Sequence, residues 1–125
     1  MKRLCKSILI YFIKKKNYYA GCPSKEESNE LVEIKGFTDR VYAKAPNEIK
    51  LHGAGSSGKT LKLSKSNGLS DWVVWNPYET AAKMADMHED GHLEFVCVEA
   101  TQTSTRIIIP SGKQWQANHA MELDT

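Results

Sequence analysis

The sequence predicts an all-β fold interrupted by one short helix. From residue 30 onward, apolar and polar residues alternate with period two, the signature of half-buried strands. Turn signals cut that alternation at short intervals, at Ala45-Pro46-Asn47, Asn67-Gly68, Asp90-Gly91 and Pro110-Ser111-Gly112. Only one stretch carries the chemistry of a helix start.

The first 16 residues, MKRLCKSILIYFIKKK, hold a short apolar run between basic residues. Spanning a bilayer takes about 20 apolar residues, so this run is too short. Lys14, Lys15 and Lys16 stand where a signal peptide would need a small-residue cleavage site, and they also separate the run from a lipoprotein-like YAGC at 19–22. Residues 1–30 therefore read as a basic leader rather than a membrane element. "ELVEIK" (30–35), "NEIKLH" (47–52) and "TLKLS" (60–64) read as strands by clear alternation. "DWVVW" (71–75) and "RIIIP" (106–110) are short apolar runs of the kind buried on both faces. "LEFVCVEA" (93–100) and "KQWQANHAMEL" (113–123) are longer strands. The helix begins at "NPYE", with Asn76 as N-cap, Pro77 at the first position and Glu79 at the third, and is expected over about 76–87.

Composition sets further bounds. The 125 residues make one domain or part of one, and 17 Lys+Arg against 15 Asp+Glu give a net charge of +2. A nucleic-acid binder needs a concentrated basic face, which this balance does not offer. Cys5, Cys22 and Cys97 are odd in number and at no metal-ligand spacing, which points to free thiols in a reducing, cytoplasmic setting.

Two motifs match known patterns without their context. "GAGSSGKT" (53–60) satisfies the phosphate-loop pattern, yet such a loop lies between a buried strand and a helix whose amides hold the phosphates. After Lys59 the chain alternates and then turns. Gly53, Gly55 and Gly58 read as a loop joining antiparallel strands, and no nucleotide is expected. "HEDGH" (88–92) fits the zinc-protease pattern, which requires both histidines on one face of a continuous helix. The Asp90-Gly91 turn breaks such a helix, so no metal is expected at His88 and His92.

The informative stretch runs from Asp71 to Ala100. Asp71, Val73 to Pro77, Lys83 to Asp86, and Val96 to Ala100 resemble the C-terminal region of the hexose-6-phosphate mutarotases, or glucose-6-phosphate 1-epimerases, of the aldose-1-epimerase superfamily. "FTDRVY" and "APNEIKL" upstream, and "IIIPSGKQWQANHAMEL" downstream, extend the resemblance over about residues 30–123. It implies a galactose-mutarotase-like β-supersandwich that binds a pyranose on a concave sheet face, with residues 31–125 as its C-terminal portion. The implied reaction interconverts the α and β anomers of a hexose 6-phosphate by acid–base ring opening, with neither metal nor cofactor. The alternative is a non-catalytic carbohydrate-binding or interaction β-sandwich.

Glu99 matches the family's catalytic glutamate in "CVEA". On one extended strand Leu93, Phe95, Cys97 and Glu99 would share a face, and a carboxylate ending an apolar row loses hydration, which suits a general base. Asp39 matches a family aspartate that contacts sugar hydroxyls. Trp75 is assigned to the core or the pocket wall and Asn76 to its N-cap, both outside the site. The family's acid histidine and phosphate-binding arginines come from an N-terminal half not contained in this chain, and none of its four histidines sits in that context. The expectation is thus a C-terminal fragment with unpaired strand edges and a tendency to self-associate.

Overall fold

A computed structural model of the chain describes residues 9–11, 16–19, 25–27, 31–54 and 58–124, the first three stretches by backbone alone. Ten strands are described: β1 (Leu9–Tyr11), β2 (Lys16–Tyr19), β3 (Lys25–Glu27), β4 (Leu31–Glu33), β5 (Thr38–Tyr42), β6 (Glu48–Ala54), β7 (Lys59–Lys65), β8 (Asp71–Asn76), β9 (Cys97–Thr101) and β10 (His119–Asp124). They form two five-stranded sheets, ordered β10-β7-β6-β1-β4 and β3-β2-β5-β8-β9. Every pairing described is antiparallel.

The alternation read from the sequence sets which face of each strand turns inward. Val32 and Ile34 at β4, Ile49 and Leu51 of β6, and Leu63 of β7 come from the first sheet. Tyr42 of β5 and Trp72 and Val74 of β8 come from the second, and all join one buried cluster. The two sheets are thus layers over a shared core, as the period-two pattern requires. Buried polar groups are partnered. Trp72 donates its indole N–H to the carbonyl of Pro46 at 2.8 Å. Lys65 Nζ donates to Ala45 O at 3.0 Å and lies 5.5 Å from the Trp72 ring centroid.

Several elements differ from expectation. The helix is present as a six-residue 3-10 segment, Tyr78–Lys83, followed by a second 3-10 turn at Gly91–Leu93. Tyr78 has φ 45°, in the left-handed region, and Met84 is already extended, so a regular α-helix has neither its first turn nor its last. "RIIIP" is not a strand, and Ile108 is 80% exposed because nothing among the described residues covers it. Of "KQWQANHAMEL" only the end enters a sheet, as the edge strand β10. There Met121 and Leu123 lie opposite Leu63 and Leu61, on the core-facing side, yet are 63% and 53% exposed.

The glycine-rich segment joins β6 to β7, as read from the sequence, with Gly53 and Gly58 both at positive φ. Residue 55 and the cysteines at 5 and 22 lie outside the described residues. A strand, β7, begins at Lys59 where a phosphate loop would need its helix.

Asp71, fully buried at the start of β8, is bonded through both carboxylate oxygens. Its Oδ1 accepts from the Lys44 amide (3.0 Å), the Ser70 hydroxyl (2.7 Å) and the Ser104 hydroxyl (2.7 Å). Its Oδ2 accepts from the amides of Thr103 (2.7 Å) and Ser104 (2.6 Å). Burial alone would push this carboxyl up, but the Ser104, Ser70 and Lys44 donors outweigh it and hold Asp71 well below the usual carboxylate range. A depressed folded-state pKa means the contribution to stability is complete above the unfolded value of about 3.9 and is lost as pH falls below it. Asp71→Asn should therefore cost about 2–4 kcal/mol at pH 7 and flatten the stability profile between about pH 5 and 2, read by urea denaturation across that range. A variant with the parental acid sensitivity would remove Asp71 as its source.

Candidate functional site

Strand register decides which side chains can meet. In an antiparallel pair, directly opposed residues point to the same face. Asp39 lies opposite Trp75, and Trp75 opposite Cys97. One step along, Val41 lies opposite Val73, and Val73 opposite Glu99. The intervening positions, Tyr42, Trp72 and Val74, fill the core. Asp39, Trp75, Cys97 and Glu99 therefore share the face of the second sheet that turns away from the core.

Asp39 and Glu99 are both exposed, whereas Val73, Trp75 and Cys97 between them are half-buried. With strands about 4.8 Å apart and a rise of about 3.4 Å per residue, the two carboxylate-bearing Cα atoms are separated by about 12 Å. The two residues expected from the sequence are thus brought to one surface, at opposite corners of an apolar patch. The dehydrating row expected beside Glu99 is not formed. Leu93 belongs to the 3-10 turn and β9 begins only at Cys97, so the row of four on one strand is broken. Cys97 is a free thiol, pushed up by burial and by the neighbouring Glu99 carboxylate.

One wall of this face is built by a side chain to which the sequence assigns a smaller task. Asn76 is fully buried. Its Oδ1 accepts the Tyr78 amide at 2.8 Å, but the N-cap of the 3-10 segment is Pro77 rather than Asn76 as expected, so this bond closes a turn ahead of the segment. Its amide nitrogen also donates to His92 O (3.0 Å) and Phe95 O (2.8 Å). That clamp holds the loop after the 3-10 segment against the end of β8. Phe95 accordingly packs on Trp75, with ring centroids 5.9 Å apart at 36°, and His92 packs on Tyr78 at 4.8 Å. A buried Asn before Pro is visible in the sequence, but its second pair of partners is fixed only by the folded loop.

His88 and His92 do not share a continuous helix. His88 Nε2 lies 3.4 Å from Glu94, and His92 Nδ1 lies 3.2 Å from Glu89 O. No group of three or more His, Cys, Asp or Glu side chains suited to a metal occurs among the described residues. No described helix is long and apolar enough to cross a membrane.

No protein-family profile matches the chain. A Cenchrus ciliaris protein bearing the provisional name glucose-6-phosphate 1-epimerase is 29% identical over 109 residues, covering 84% of this chain and 32% of its own. The likeness is to the glucose-6-phosphate 1-epimerase family, over a C-terminal part. This epimerase-like chain spans about a third of that relative's length. Its fold is shared with two solved structures. One is a provisionally named mutarotase, YeaD, from Salmonella typhimurium, with TM-score 0.66, 20% identity, and coverage of 77% of this chain and 33% of that one. The other is the protein HI1317, with TM-score 0.69, 15% identity, and coverage of 97% and 41%. The all-β fold expected from the sequence, mostly antiparallel strands like those of these structures, is thus present.

The clamp can be tested directly. Asn76→Ala would strip the donor from two loop carbonyls and should cost about 2–4 kcal/mol, with the emission of Trp75 shifting as Phe95 loosens. Urea melts followed by fluorescence would measure both. A loss below about 0.5 kcal/mol would mean the loop is held by other contacts.

Proposed function

We propose that the chain is the glutamate-bearing portion of a hexose-6-phosphate 1-epimerase, with residues 31–125 as the epimerase-like part. The observation that supports this most is the placement of Asp39 and Glu99 on one outward sheet face, flanking an apolar patch. Glu99 is the base. It takes the proton from the anomeric hydroxyl while an acid delivers one to the ring oxygen, breaking the bond between C1 and that oxygen. The C1–C2 bond rotates, and closure on the opposite carbonyl face gives the other anomer, with both protons returned. Asp39 accepts hydrogen bonds from sugar hydroxyls, as an ionised carboxylate with two oxygens can. The substrate is a hexose 6-phosphate, and the setting is cytoplasmic, in keeping with the free Cys97 thiol.

The acid comes from outside this face. Among the described residues, no histidine lies on the strands that carry Asp39 and Glu99: His52 is in β6, His119 in β10, and His88 and His92 are in the loop before β9. This favours a second reading, sugar binding without turnover, for the chain by itself. General acid–base catalysis contributes about 10²–10⁴-fold per positioned group, so one carboxylate alone should leave anomer exchange near the buffer rate. Fusing the N-terminal part of a full-length epimerase to residues 31–125 should restore turnover of glucose 6-phosphate anomers. Glu99→Gln in that fusion should abolish turnover and leave substrate affinity within about twofold, because glutamine keeps the shape but cannot take the proton. Equal rates for the two fusions would show that Glu99 is not the base.

Self-association belongs to the same reading. β9 and β10 are both sheet edges, and Met121, Leu123, Ile108 and Ile109 expose apolar surface beside them. Sedimentation velocity on the isolated chain should show species larger than a monomer, and a single monomeric boundary at all concentrations would argue against it.

A further inference from the structure

We propose that the Asn67-Gly68 turn is a self-modifying site, where Asn67 loses its side-chain amide to water and becomes a mixture of aspartate and isoaspartate. The site lies between β7 and β8, away from the face that bears Asp39 and Glu99, and does not depend on how that face is read. Asn67 is exposed, and Gly68 follows it in a turn closed by the Leu69 amide donating to Ser66 O at 3.0 Å. The reaction needs the amide nitrogen of the next residue to reach the Asn side-chain carbon Cγ. A glycine, with no Cβ, hinders that approach least.

The fold adds a donor where charge develops. Asn47 Nδ2 donates to Asn67 Oδ1 at 2.6 Å. The orientation of the Asn47 amide is set in turn by the buried Lys65, whose Nζ donates to Asn47 Oδ1 at 3.3 Å and to Ala45 O at 3.0 Å. When the Gly68 nitrogen, having given its proton to hydroxide, attacks Cγ, the carbonyl electron pair moves onto Oδ1. That oxygen is the one Asn47 already holds. A donor placed in advance on a developing oxyanion lowers the barrier, and the Lys65 ammonium polarises the donor amide from behind.

The carbonyl then re-forms and expels Nδ2, which takes a proton from water and leaves as ammonia. The product is a five-membered imide joining the nitrogen of residue 68 to both carbonyl carbons of residue 67. Water opens either imide bond. Breaking the bond to Cγ gives aspartate in an ordinary chain, and breaking the bond to the main-chain carbonyl gives isoaspartate, whose chain runs on through Cβ and Cγ. Over both steps one water is consumed and one ammonia released. The isoaspartate form lengthens the main chain by a methylene where there is no slack, since even a Cβ at Gly68 would meet Gln116 O at 2.8 Å. Beside it, Ser66 N donates to Asn118 O and Asn118 N to Ser66 Oγ, each at 2.9 Å, and these bonds lead the chain into β10. Every side chain of that edge strand is exposed, so displacing the turn loosens a strand held by little else than its ladder to β7 and surface ion pairs. The reaction is a timer that frees β10.

Ageing the full chain in warm, neutral buffer tests this, with samples read by peptide mass spectrometry and isoaspartate detected by enzymatic methyl transfer. The peptide holding Asn67 should gain one dalton and acquire isoaspartate, while Asn118, exposed but followed by His119, keeps its amide. The folded chain should react faster at Asn67 than the same chain unfolded in urea at the same pH. Asn47→Ala should slow the folded reaction by about tenfold, the loss of one hydrogen bond to a charged group. The folded-against-unfolded comparison needs no variant, so the proposal stays testable if Asn47→Ala does not fold. The isoaspartate form, separated by ion exchange, should exchange its amide hydrogens over 116–124 faster than the fresh protein. If Asn67 keeps its amide, or reacts no faster folded than unfolded, the fold does not build the site and the proposal fails. An unchanged rate in a folded Asn47→Ala variant would overturn it as well. Unchanged hydrogen exchange over 116–124 would sever the reaction from β10.

Discussion

The fold depends on keeping one ionised carboxylate, Asp71, out of water. Its two oxygens receive five donors from three separate stretches of chain: Lys44 after β5, Ser70 beside it, and Thr103 and Ser104 just beyond β9. Two carboxylate oxygens offer about four lone-pair directions, so the group is saturated and only its charged form can serve every partner. The stretches it gathers are the ends of the strands that carry the candidate site. Asp71 is paired with Thr101 at the end of β9, so fixing Thr103 and Ser104 also fixes the register that sets Glu99 opposite Val73. A buried carboxylate, Asp71, therefore decides where the exposed one, Glu99, stands.

Asn76 does for the other end of β8 what Asp71 does for its start. Between them the strand is pinned at both termini by buried polar side chains, while Trp72 and Val74 anchor it in the core. The face left over, Val73 and Trp75, is free to be functional because the core does not require it. This division comes from the two-residue period of a strand, which gives every second side chain to each purpose.

Much of this is legible in the sequence, and the gaps have physical causes. β4, β6 and β7 are visible as alternation because each is half-buried, while β1, β2 and β3 fall in the stretch read as a basic leader; the turns at Asn67-Gly68 and Pro110-Ser111-Gly112 are visible in their residue types. Asp39 and Glu99 are marked by family likeness; that they share a face is a matter of register across three strands, which no local pattern encodes. "RIIIP" misleads because apolarity reports what a segment could bury, not whether anything is there to cover it. The helix shrinks to a 3-10 segment because Tyr78 takes a left-handed φ where a first α turn would need a right-handed one, and Met84 is already extended. The cap signals at Asn76, Pro77 and Glu79 carry no information about either.

The order of the strands also bears on how the molecule is made. The hairpin of β6 and β7 closes through a short glycine-bearing loop and belongs entirely to the first sheet. The strands bearing Asp39 and Trp75 belong to the second sheet and are separated in the chain by that whole hairpin. Closing a short loop costs less conformational entropy than joining strands across an intervening element, so the hairpin is the cheaper structure to nucleate. By the same argument the face bearing Asp39 and Trp75, which needs β5 and β8 to meet, costs more to close than the hairpin. A nascent chain emerging from the ribosome in sequence order has β2 available to pair with one edge of β5, but its other edge waits for β8 while β6, β7 and β8 are synthesised. During that interval its unpaired edge is open to wrong partners, and this window recurs with every copy of the chain that is translated.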